Sequence, residues 1–247
     1  MFMTAGDERL DAQDPARFTY AWIGLMGLSI LTGLMLIFVW SLTWRLCLDW
    51  DRLSRPAAVT AIVVLAWTMR MSLVSIGPAL RLRGKANQFG AAAAAAALVG
   101  VGFMSLVERY PVGYEYAMSG WIDWIRPELS IFRVLLLMPV WGAWSILIAG
   151  QFQPANAITD PATRRFVRGC GPLAAAACIA IPLAGTIVYF HYMGVFGQVT
   201  VTVATLLTAI ISGPILCKLG GGLSRQGLLA ASMITQIVFL MLCTIWL

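Results

Sequence analysis

Few residues of this sequence can do polar chemistry inside an apolar environment, and Arg70 is the most deeply placed of them, near the middle of the run 57–80. A charge at the centre of a lipid-crossing helix costs at least about 2.5–3.5 kcal/mol on insertion scales, so the guanidinium is expected to face protein, water or an anion. The chemistry that suits it is anion binding or gating within a bundle. In the competing reading the crossing is shifted and the long side chain reaches an interface. No carboxylate falls inside an apolar run, and Glu108 and Glu128 only border two of them. Proton relays and sodium sites in transporters generally need an acid at depth, so an ion-coupled carrier loses weight.

Gln236 lies midway along the last apolar run, beside Thr235 and near Ser232 and Thr244. A buried amide in lipid seeks a partner on another helix, at about 0.6–2 kcal/mol, and solute contact is the alternative. Pro182, Gly213-Pro214 and Gly77-Pro78 fall within apolar runs. A proline there frees a backbone carbonyl for a neighbour, water or a ligand, although a kink or a helix end is the plainer reading. The candidate binding residues are therefore Arg70, Gln236, Pro182, Gly213 and Pro214. Thr200, Thr202, Thr205 and Thr208 are expected to bond their own helix.

Catalytic and metal chemistry find little support. His191 is the single histidine, set between Tyr189, Phe190 and Tyr192 near the end of a run, and one imidazole supplies neither bis-histidine haem ligation nor a multi-histidine metal site. Cys47, Cys170, Cys178, Cys217 and Cys243 form no CxxC pair. Ser119-Gly120 is preceded by Ala117-Met118 and lacks the first glycine of a GxSG motif. An active site would require Glu108, Ser119, Asp123 or His191 to converge. There is no phosphate-binding loop or dinucleotide fingerprint. No catalytic residue, metal ligand or cofactor is expected.

The elements that must position these residues follow from composition. Hydrophobic residues make up 60% of the chain and charged ones 11%, against roughly a quarter charged in soluble domains, so the surrounding solvent is read as lipid. Apolar runs near the spanning length cover 18–44, 57–80, 88–107, 131–150, 172–193, 199–217 and 227–247. The expected fold is all-α: a polytopic transmembrane helix bundle of about seven spans, with six as the alternative, joined by short loops and short interfacial helices. Residues 1–17 form a polar tail without the basic start of a signal peptide, and 18–247 a single transmembrane helical domain.

With seven spans, Arg81, Arg83, Lys85, Arg164, Arg165, Arg168, Lys218 and Arg225 share a side with the N-terminus. The opposite loops carry Arg45, Arg52, Arg55, Arg109 and Arg126. The positive-inside bias then predicts a cytoplasmic (inner) membrane with the N-terminus cytoplasmic and Leu247 outside. Met118, Trp121, Ile122 and Ile125 recur at helical spacing and predict a short helix in the outer interface. Thr159-Asp160-Pro161 supplies an N-cap and a proline at the first helical position, followed by Arg164, Arg165 and Arg168, which predicts a short basic helix on the lipid surface. Seven consecutive alanines, Ala91 to Ala97, mark the third run as the expected centre of the bundle, packed against the alanines at 174–177.

Three functional classes remain. A small permease or channel-like protein for a small or anionic solute draws on Arg70 and the prolines. A non-catalytic membrane-embedded subunit of a larger complex, with other membrane subunits or copies of itself as partners, draws on the small-residue faces. A membrane-embedded enzyme acting on lipid or peptide is the third. The lipid bilayer is the common partner, and the scattered basic residues give no reason to expect nucleic acid.

Overall fold

The computed structural model describes residues 20–46, 63–64, 66–109, 130–153, 158 and 160–246. Among these the chain is all-α, with nine helices: α1 Ala21–Leu46, α2 Arg70–Ala79, α3 Lys85–Arg109, α4 Ser130–Ala149, α5 Pro161–Cys170, α6 Pro172–Cys178, α7 Ala180–Tyr189, α8 Gly194–Gly220 and α9 Arg225–Trp246. A 3-10 turn, His191–Met193, joins α7 to α8.

Among the described residues six stretches are long and apolar enough to cross a membrane: Ala21–Trp40, Lys85–Leu106, Ile131–Ala149, Pro172–Tyr189, Gly194–Gly220 and Arg225–Trp246. The protein is a multi-pass membrane protein. Six of the seven apolar runs thus contain candidate spans. The other, 57–80, is described only in part, and its last section is the ten-residue α2. The interfacial helix expected around Trp121 lies outside the described residues.

The centre of the bundle is α4, not the alanine-rich α3. Every residue from 137 to 150 is buried, and α1, α6, α7, α8 and α9 all pack on this one helix. Without a hydrophobic drive between helices in lipid, association rests on close packing and hydrogen bonds, and both are concentrated here. A Cβ added at Gly33 of α1 would stand 2.8 Å from the Leu136 carbonyl oxygen, and one at Gly213 of α8 would stand 2.8 Å from that of Ala149. The glycines thus lie mostly on the partners. α4 itself brings Trp141 and Trp144, edge to face at 5.9 Å.

The expectation for α3 fails for a physical reason. Alanines all round a helix permit close approach on every side but offer few atoms for dispersion, whereas large side chains gain many contacts when surrounded. α3 buries one stripe, Ala95, Val99, Phe103 and Leu106, against α2 and α9. Gly90, Ala93, Ala94 and Ala97 are exposed. The pairing expected between its alanines and those of α6 does not organise the bundle, because α6 packs on α4, α1 and α7.

The span Pro172–Tyr189 is interrupted at Ile179, which separates α6 from α7 although its own backbone, φ −62° and ψ −26°, stays helical. Pro182 is the third residue of α7, in the first turn, where a missing N–H is tolerated. The basic helix α5 forms as expected. Asp160 accepts the Arg164 backbone N–H at 2.9 Å and the Thr163 hydroxyl at 2.7 Å, and Pro161 opens the helix. Thr163, Val167 and Cys170 face inward, Arg165 and Arg168 outward. Burial, with a smaller contribution from Cys178, pushes the Cys170 thiol up to about 11, so it stays protonated at neutral pH.

Candidate functional site

Hydrogen bonds run from α4, and from the turn that follows it, to neighbouring segments along its whole length. Arg133 donates from Nη1 to the Tyr189 carbonyl at 2.9 Å. The Trp141 indole donates to Thr186 Oγ1 at 3.1 Å, and that hydroxyl donates in turn to the Pro182 carbonyl at 2.7 Å. The Trp144 indole donates to the Ala175 carbonyl at 2.9 Å. Gln151, just past α4, donates to the Val167 carbonyl at 3.2 Å. Phe239 of α9 closes the aromatic cluster, 6.4 Å from Trp141 and 6.1 Å from Phe190.

The five candidate residues of the sequence do not gather in one place. Arg70 is the first residue of α2, directly after a turn at Met69, and is exposed. Its guanidinium carbon lies 4.4 Å from the ring centroid of Trp67, which is also exposed, a cation–π pair on the outside of the described bundle. Gln236 is 5% exposed and packs against Gly142 of α4, where a Cβ would collide with its amide. Its Nε2 donates to Ser232 of its own helix at 2.9 Å rather than to another helix, and its Oε1 has no partner among the described residues. Gly213 meets α4 at Ala149, and α7 with Pro182 meets it at Leu137 and Trp141. Pro214 continues α8 without ending it. Gln236 and Gly213 thus meet α4 seven residues apart, at Gly142 and Ala149, while Pro182 is joined to it through Thr186 and Trp141.

The threonines of α8 divide. Thr200, Thr202 and Thr208 donate to the carbonyls of Phe196, Gln198 and Ala204 at 2.7–2.8 Å, as expected. Thr205 is fully buried, and its hydroxyl has no partner among the described residues. His191 is exposed, its Nδ1 2.9 Å from the Val188 carbonyl. Ser119 and Asp123 lie outside the described residues.

A second polar region lies at one end of the bundle. Arg81, Arg83, Lys85, Arg165, Arg168 and Lys218 are exposed there, with Arg164 and Arg225 half-buried. Gly221 closes α8 in the left-handed conformation, φ 64°, with the Gly222 N–H on the Cys217 carbonyl at 3.0 Å. The Arg81 guanidinium lies against Gly221, and Ile158 pairs with Leu223, so the segments after α2, α4 and α8 meet. Between the turn after α4 and helix α5 is a cleft of about 250 Å³, lined by Gln151, Gln153, Arg164 and Arg168 among others. Arg164 donates from Nε, at 3.2 Å, and from Nη2 to the Ile158 carbonyl.

No family model, curated protein or solved structure matches this chain. The geometry therefore carries the functional argument alone.

Several of these features went unassigned in the sequence. Arg133 was readable as a charge just inside the run 131–150. The two tryptophans of α4 read as apolar bulk, because nothing in a linear sequence marks an indole that has a carbonyl or hydroxyl waiting on another helix. The cleft unites residues from two segments, and only the basic spacing of Arg164 and Arg168 pointed to it.

Proposed function

We propose that this chain is a non-catalytic, membrane-embedded subunit of a larger assembly, a single transmembrane domain over 18–247 in a cytoplasmic membrane, with the run 57–80 as a seventh crossing that places the N-terminus in the cytoplasm and the C-terminus outside. The observation that carries this reading is the outward face of α3. Gly90, Ala93, Ala94 and Ala97 lie exposed on one side of the helix, and no described atom stands within 4 Å of a Cβ built at Gly90. Exposed small residues at this spacing let another transmembrane helix approach closely. Lipid gains nothing from such a face that leucine would not supply. The occupant is a transmembrane helix, from another chain or a second copy. The interhelical bonds of α4 support the same reading, since they give the chain a fixed core rather than a passage.

The test is purification from membranes at native expression level in a mild detergent. A partner chain, or a second copy, is expected to travel with the wild type. Ala94→Leu should weaken that association at least about fivefold, because overfilling a close contact costs about 1–3 kcal/mol. Undiminished association of Ala94→Leu, or a wild type that is monomeric and alone, overturns the reading.

A second reading, a small permease for a small or anionic solute, is favoured by the unpartnered Gln236 Oε1 and Thr205 Oγ1 beside a span interrupted at Ile179. Solute flux in vesicles containing only this chain, abolished by Gln236→Leu, would decide for it.

A further inference from the structure

We propose that the cleft between the turn after α4 and helix α5 is a binding site for the phosphate group of an anionic ligand. Arg164 and Arg168 stand one helical turn apart on α5 and both line it. Among the described residues no carboxylate lines the cleft. The one acid nearby in sequence, Asp160, is not among the lining residues, and its carboxylate accepts from the Thr163 hydroxyl at the start of α5.

The two guanidinium groups differ in a way that suits a receptor. Arg164 is held in place by the Ile158 carbonyl, which takes its Nε and Nη2 and leaves Nη1 for a ligand. Arg168 makes no hydrogen bond or ion pair with another described residue and is free to close on one. A third donor is Gln153, whose Nε2 is buried without a partner among the described residues and which lines the same cleft. A buried donor without an acceptor is costly, and an anionic oxygen would satisfy it. Gln151 fixes the wall opposite by donating to the Val167 carbonyl.

The free guanidinium fork of Arg168, Nη1 of Arg164 and the Gln153 amide present more donors than the two oxygens of a carboxylate can use. They match the oxygens of a phosphate, which arginine engages bidentately. A volume of about 250 Å³ lies below the roughly 300–1,000 Å³ of drug-sized pockets and accommodates a phosphate with a small substituent. The cleft also reaches Gly171 and Pro172, at the start of the span Pro172–Tyr189, so it opens at the level of lipid headgroups. Basic pockets at such a level take anionic headgroups. The phosphate comes either from a lipid or from a soluble compound. This site stands whether the chain works alone or within an assembly.

The experiment is thermal unfolding of the full-length protein in a neutral detergent, titrated separately with phosphatidylglycerol, phosphatidylcholine, inorganic phosphate, and chloride at matched ionic strength. The wild-type transition is expected to rise with phosphatidylglycerol or inorganic phosphate and not with chloride. A rise with the lipid alone identifies a headgroup site, and a rise with inorganic phosphate identifies a soluble ligand. Arg168→Gln should weaken the response at least about tenfold, the scale of one charge-assisted contact, whereas Arg165→Gln, equally exposed but not among the residues that line the cleft, should retain it. If Arg168→Gln lowers the ligand-free transition, Gln153→Leu carries the same comparison. No rise with either phosphate source overturns the proposal, as does an equal loss in Arg165→Gln, which would mean that surface charge alone attracts the ligand.

Discussion

Helices α3 and α4 are both long enough to cross a bilayer and both are free of charge through their middles, yet they occupy opposite positions. Of the α4 span 83% is buried, and of the α3 span 28%. α3 is rich in alanine and glycine, α4 in leucine, isoleucine and tryptophan. Small side chains make a helix easy to approach, but they do not make it worth surrounding. A helix is surrounded when it offers dispersion contacts in every direction and donors that neighbouring carbonyls can accept. The small residues that allow this sit largely on the surrounding helices, at Gly33 and Gly213. α3, small from Gly90 to Ala97 and bearing exposed Leu98 and Val101 beyond, is left with an open face, and the small part of that face is what suggests a partner.

The comparison breaks most readily at the one glycine α4 contributes to its own crossing with α9. Gly142→Leu would drive a side chain into the Gln236 amide and the Ser232 hydroxyl. It is expected to destabilise the bundle by about 3 kcal/mol, the upper part of the overpacking range, seen as a lowered unfolding midpoint in detergent. A midpoint unchanged by this variant would mean that α4 and α9 are not closely packed there. Trp141→Phe keeps an aromatic ring but removes the donor to Thr186. A loss of about 1–2 kcal/mol is expected, one hydrogen bond plus some lost volume. Loss of more than twice that would show that Trp141 holds more of the core than its one bond and its rings explain.

Gln236→Leu has a smaller expected effect. The amide bonds only within its own helix, and its carbonyl oxygen is unpartnered. The change removes a bond and an unmet acceptor together, and Ser232 can bond back to its own helix. A net change within about 1 kcal/mol is expected. A larger loss would mean that the amide reaches across to another helix, as its position in the sequence suggested.

The sequence was legible where one residue type decides the matter. Apolar length located six spans, and Asp160-Pro161 with the arginines after it located α5 almost to the residue. It was not legible where two elements decide together. Arg70 sits mid-run in the sequence, but a turn at Met69 makes it the first residue of a short helix, stacked on Trp67. No local signal announces that turn. The alanine run was read for what it permits on its own helix, whereas burial depends on what all the neighbours gain. Gly213 and Pro214 were singled out as a break; the glycine proves to be a point of helix contact and the proline an interior residue of a continuous helix.

The mildest change sharpens the comparison most. Ala94→Leu on α3 adds three carbons to one side chain, a change close in kind to Gly142→Leu on α4. Because Ala94 is exposed, the added leucine can extend away from the bundle, and its helix propensity is close to that of alanine. The stability of the isolated chain should therefore move by less than about 0.5 kcal/mol. Near-equal additions of volume would thus cost about 3 kcal/mol on one helix and almost nothing on the other, so the contrast between their surroundings is measured directly. A substantial loss of stability from Ala94→Leu in the isolated chain would place this face inside the bundle and remove the case for a partner helix. An unchanged midpoint together with a lost partner would leave no source for the effect except the contact between chains.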